Sequence, residues 1–130
     1  MRLKVLGAYG SDGQGQRPSA FLVDDHVLVD AGTVGGALSV PEQIAITHAV
    51  LSHAHLDHTV GLAFLVDTLA MVAPERSVTA CSIAPVIETL RAHVFNEHAS
   101  SIVGDVPATA TWSSSARVPT RSPPPGSRCS

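Results

Sequence analysis

The chain has 130 residues and a formal net charge of −3, and it is 45% hydrophobic but only 4% aromatic. That length suits one small domain with a core of Val, Leu, Ala and Ile, burying about 65% of the surface an unfolded chain exposes. The acidic balance argues against a dedicated nucleic-acid binder, yet leaves room for a small anionic substrate if bound metal supplies positive charge.

Cys81 and Cys129 make no disulfide framework. The start "MRLKVLGAYG" is not a signal peptide. The most apolar stretch, residues 61–73, is broken by Asp67 and too short to cross a bilayer. A cytoplasmic, reducing setting without membrane attachment is the expectation.

In chain order, "RLKVLG" alternates as a half-exposed strand. "GSDGQGQRP" is a glycine-rich loop. "SAFLVDDHVLVDAG" reads as two strands around Asp24–Asp25–His26, although Asp-Asp is not the best two-residue turn. Asp30 then stands where the second strand stops. "VGGALSVPEQIAI" gives a turn and a short helix with Pro41 near its start, and "THAVLS" a strand. "TVGLAFLVDTLAM" places Leu62, Leu65, Val66 and Leu69 at helical spacing, "SVTACS" is a strand, and "APVIETLRAHVFNEH" is a helix facing inward with Ile83, Ile87, Leu90 and Val94. Strands first and strand–helix pairs after make an α/β layered domain, an α+β stack of sheet and helices.

The chemistry is concentrated in "LSHAHLDHTVGL", where His53, His55, Asp57 and His58 fall within six positions. Ligands are often held in the loop at the carboxyl end of a strand. His53 and His55, two apart in an extended segment, point to one side and can share a metal. Asp57 and His58, where the chain turns into the helix, would point elsewhere and can serve a second. Imidazole and carboxylate suit zinc, manganese or iron. Packing does not explain such density, whereas His26 in a turn, His48 before a strand and His93 beside an apolar helix face need no functional account. His98 is a spare ligand.

The His-x-His-x-Asp-His pattern, with "FLVDDHVLVDAG" before it, resembles the metallo-β-lactamase superfamily. "VGGALS", "VLSHAHLDHTVGLAFLVD" and "LRAHVFN" are similar to the class II 3',5'-cyclic-nucleotide phosphodiesterases, over residues 2–96. The resemblance implies the N-terminal half of an αββα sandwich. It implies two zinc ions per complete site, with Mn2+ or Fe2+ as substitutes. His53 and His55 would bind one ion, and Asp57 and His58 the other. Asp57 would also help position the attacking hydroxide, and Asp30 would support the ligands from behind. A 3',5'-cyclic nucleotide such as cyclic AMP would be opened to its 5'-monophosphate.

The chain departs from that family late. Residues 1–102 read as a partial domain of this fold, and 103–130, rich in Pro, Ser and Arg, as a disordered tail. No histidine follows His98, and Asp105 is the last acidic residue. The expectation is a truncated, out-of-frame product that is inactive alone; reading the other two frames should restore a histidine, an aspartate and a histidine. The alternatives are a non-catalytic metal-binding fragment, or another hydrolase of this fold such as a lactonase or a nuclease. The expected partners are a cyclic nucleotide, no nucleic acid, no membrane, and a second copy of the chain through an uncovered sheet face.

Overall fold

The computed structural model describes residues 1–96 and the backbone of 110–114. Six strands form one mixed sheet in sequence order: β1 (Leu3–Gly7), β2 (Ala20–Val23), β3 (Val27–Ala31), β4 (His48–Val50), β5 (Val78–Ser82) and β6 (Ala110–Ser114). The first three run antiparallel to one another, and β3 through β6 are parallel. Parallel neighbours need a crossover, supplied by α1 (Val40–Ile44) between β3 and β4 and by α2 (Leu56–Val72) between β4 and β5; α3 (Ala84–His93) follows β5.

The β2–β3 hairpin closes through a three-residue loop, Asp24–Asp25–His26, rather than a two-residue turn. Val23 pairs with Val27, and the His26 amide donates to the Val23 carbonyl at 3.1 Å. Asp24 and Asp25 both adopt positive φ, 47° and 63°, a region aspartate tolerates better than most residues. The Arg2 amide donates to Asp24 Oδ1 at 2.6 Å, and the Arg2 side chain forms an ion pair with Asp25.

Alternation sorts the sheet's faces. Leu6, Leu22, Leu28, Ala49, Leu51, Val78 and Ala80 are buried in one core with Leu62, Leu65, Val66 and Leu69 of α2 and with Val86, Ile87 and Leu90 of α3. The helical spacing read along α2 is therefore its buried stripe. On α3, Val86 takes a core position, while Ile83 lies outside the helix as its N-cap and is exposed. The other sheet face carries the exposed Leu3, Val5, Val29 and Val50.

One expectation needs correction. Within the stretch assigned to a disordered tail, residues 110–114 form β6, in register with β5 from Val78↔Ala110 to Ser82↔Ser114. Composition missed it because a parallel edge strand is made by its neighbour's backbone rather than by its own apolar periodicity. The rest of 103–130 and His98 lie outside the described residues. Among the described residues no helix is long and apolar enough to cross a membrane.

Candidate metal centre

The site is built where β3 and β4 end. Between Ala20↔Ala31 and Phe21↔Val29 the register slips by one residue, and the extra residue is Asp30, at φ 55°. Such a bulge bends the strand end and re-aims side chains. Ala31 comes into step with Ala20 on the buried face, and the Asp30 carboxylate meets the end of β4. It accepts from the Ser52 amide at 2.8 Å, lies 2.8 Å and 2.9 Å from the Ser52 hydroxyl, and sits 2.9 Å from His58 Nδ1. Burial pushes Asp30 towards its neutral acid. The bonds from the Ser52 amide, His58 and the Ser52 hydroxyl outweigh it and hold the carboxyl below its ordinary value.

His53 and His55 flank Ala54 in extended chain, and their rings meet edge to face with centroids 4.7 Å apart. Helix α2 begins at Leu56, with His55 as its N-cap, so Asp57 and His58 occupy its first turn. Side chains there lean back towards the N-terminus. The His58 ring consequently lies over His53, centroids 4.1 Å apart, and its Nε2 is 3.3 Å from Asp57 Oδ2. The two pairs do not point apart as their spacing implied: His53 contacts both His55 and His58, and His58 contacts Asp57, so the four side chains form one run of contacts. His26, His48 and His93 stand apart from it on exposed positions.

Residues that spacing did not single out hold the cluster. The Thr59 hydroxyl, 1% exposed, donates to the His55 carbonyl at 3.0 Å. A Cβ on Gly32 would sit 1.9 Å from the Asp57 carbonyl oxygen, and one on Gly61 would sit 2.6 Å from that of Ala31. Only glycine permits these approaches. Gly10 of the glycine-rich loop reaches the site too, its Cβ position being 3.8 Å from Asp57 Oδ2. For Ser52 and Thr59, adjacency to the motif was the one available signal. Gly32 and Gly61 fall in the family-like stretches "VDAG" and "HTVGL", but their partners do not show there, because their contacts cross long stretches of sequence.

In kind, the donors fit a borderline divalent ion: three imidazoles and a carboxylate. The Asp57–His58 approach fits as well. With Nδ1 bonded to Asp30, His58 presents Nε2 beside the Asp57 carboxylate, so an imidazole nitrogen and a carboxylate oxygen stand together. In arrangement the fit is partial. Among the described residues no three His, Cys, Asp or Glu side chains converge into a group that could hold a metal ion.

A family model described as "Metallo-beta-lactamase superfamily" matches residues 13–124, a span that includes β6. No curated protein matched significantly. Among solved structures, the metallo-beta-lactamase fold protein YhfI from Bacillus subtilis is similar at 17% identity and a TM-score of 0.59, over 86% of this chain and 44% of that one. Human tRNase Z, short form, is similar at 17% identity and a TM-score of 0.54, over 85% of this chain and 43% of that one. The chain thus spans less than half the length of either structure.

Proposed function

The chain belongs to the metallo-beta-lactamase superfamily, a family of hydrolases that generally bind divalent metals such as zinc, and from that premise we propose that its histidine cluster serves metal-dependent hydrolysis of a 3',5'-cyclic nucleotide. The observation that carries this reading is the run of pairwise contacts at the strand-to-helix junction, His55 to His53, His53 to His58 and His58 to Asp57, with Asp30 bonded to His58 from behind. The substrate class rests on the likeness of "HLDH" followed by "GL", and of "LRAHVFN", to the class II phosphodiesterases.

His53, His55, Asp57 and His58 would hold the ion, with zinc first and Mn2+ or Fe2+ as substitutes. When bound it supplies positive charge for the phosphoryl oxygens and lowers the pKa of a coordinated water. The protein's own groups do the rest. Asp57, 30% exposed at its side chain, would accept a proton from the attacking water and orient it. Asp30 and Ser52 keep the rings turned towards one another. The 3' oxygen would leave in line and take up the proton that Asp57 accepted from the water, and a 5'-monophosphate would be released.

A second reading is favoured by the absence of any three-ligand group among the described residues. In it the chain alone holds an ion weakly and turns over nothing above background. Zinc titration of the chain tests the centre: binding lost in His53→Ala and His58→Ala supports it, and no binding up to millimolar zinc refutes it. Substrate class is tested on the zinc-loaded chain, with cyclic AMP, a lactone and RNA as competing substrates. Chelator-sensitive conversion of cyclic AMP to 5'-AMP is expected. Hydrolysis of a lactone or of RNA instead would move the assignment to another branch, tRNase Z being a structural neighbour.

A further inference from the structure

We propose that Ser52 is a positioning residue that ties the two halves of the histidine cluster together, its one hydroxyl being clamped on the carboxylate that also fixes His58. The inference deepens the metal-centre reading and rests on it. The Ser52 hydroxyl oxygen lies 2.8 Å and 2.9 Å from the two Asp30 oxygens and 2.8 Å from His53 Nδ1. A hydroxyl has one hydrogen, and an ionised carboxylate can only accept. The hydrogen therefore goes to Asp30, and the hydroxyl oxygen accepts from the N–H at His53 Nδ1. Asp30 Oδ2 likewise accepts from His58 Nδ1 at 2.9 Å.

Both rings are thereby held with a proton on Nδ1, which leaves Nε2 as the nitrogen for a metal. That is the form an imidazole needs in order to bind a metal through Nε2, and the partner of the other nitrogen decides it. The motif spacing does not show this arrangement. Asp30 reaches His58 directly, but it reaches His53 only through Ser52. The serine is what makes one carboxylate govern both halves. Removing its hydroxyl frees His53 to move its proton to Nε2, while His58 keeps its partner. Threonine retains the hydroxyl and the tie.

The test is nitrogen-15 NMR of the histidine rings in the metal-free chain, together with zinc or cobalt titration. In the unaltered chain His53 and His58 should both be protonated on Nδ1. Ser52→Ala should turn His53 alone to mixed tautomers and weaken metal binding about 10–100-fold. Ser52→Thr should restore both readouts, and Asp30→Gly, which suits the positive φ and removes both acceptor oxygens, should disturb both rings together. A His53 that lacks a proton on Nδ1 in the unaltered chain overturns the proposal without recourse to any variant. So does a folded Ser52→Ala chain with unchanged tautomer and affinity. If the unaltered chain binds no metal at all, the metal-centre reading fails, and the ring tautomers still decide whether Ser52 couples the two histidines.

Discussion

At the scale of single residues, Asp30 carries the most consequence. It is 7% exposed, sits at a positive φ, and satisfies the Ser52 amide, the Ser52 hydroxyl and the His58 ring at once. Asn keeps its shape and tolerates the same backbone region, so Asp30→Asn isolates the charge from the geometry. An amide presents N–H where one carboxylate oxygen stood, and either Ser52 or His58 then loses its acceptor. Hydrogen bonds to charged groups contribute about 1.5–3 kcal/mol, and that is the expected loss of stability, read from the denaturant midpoint. A variant that melts like the unaltered chain and binds zinc as well would remove Asp30 from the site. Its position was legible in the sequence, because "LVDAG" marks a strand end. Its grip on Ser52 was not, since that bond spans 22 residues and depends on the bulge that aims the carboxylate.

At the scale of elements, periodicity made α2 and the β2–β3 hairpin legible. How α2 docks was not legible, because docking is set by glycines whose partners are distant in sequence. Gly61 lets two opposing effects be weighed. Alanine is the better helix former by about 1 kcal/mol. Its methyl, however, would meet the Ala31 carbonyl oxygen at 2.6 Å and a Val34 methyl at 3.1 Å, and forced overpacking costs about 1–3 kcal/mol. The obstructing atom is backbone and cannot swing aside, so Gly61→Ala should lower the melting temperature; a rise would show that propensity wins. Helix α1 gives a pH prediction. Glu42 accepts from the Ser39 amide and hydroxyl, each at 2.8 Å, and from Lys4 Nζ at 3.0 Å. The Ser39 amide first, then Lys4 and the Ser39 hydroxyl, bring its carboxyl down from 4.5 to about 2. A depressed acid stabilises the fold above its unfolded value and ceases to do so as pH falls through the folded one. The cap should therefore hold at pH 4 and be lost towards pH 2. NMR titration of the Glu42 carboxyl checks this, and a midpoint near 4.5 would refute it.

At the scale of the molecule, helices cover one face of the sheet, and the other is apolar and open among the described residues. Leu3 and Val5 on β1, Val29 on β3 and Val50 on β4 are between 38% and 59% exposed. They lie on adjacent rows, as the pairings Leu3↔Val23, Val23↔Val27 and Val29↔Val50 require. Size decides what such a face can do. The four strands β1 to β4 at about 4.8 Å spacing, each up to some five residues long at about 3.3 Å per residue, give a footprint of roughly 300 Å². That matches the largest apolar patch of an ordinary monomer, and it falls short of the roughly 800 Å² per partner that a standard stable interface buries. Association through this face should therefore be weak and concentration-dependent rather than a tight dimer. On a sizing column the apparent mass should climb above 13.5 kDa as the loading concentration rises. Val5→Lys combined with Val50→Glu leaves net charge unchanged and keeps the new charges on separate strands, so it should return the chain to monomer mass at every loading. A monodisperse, cooperatively melting monomer without these substitutions would show that the open face does not drive association.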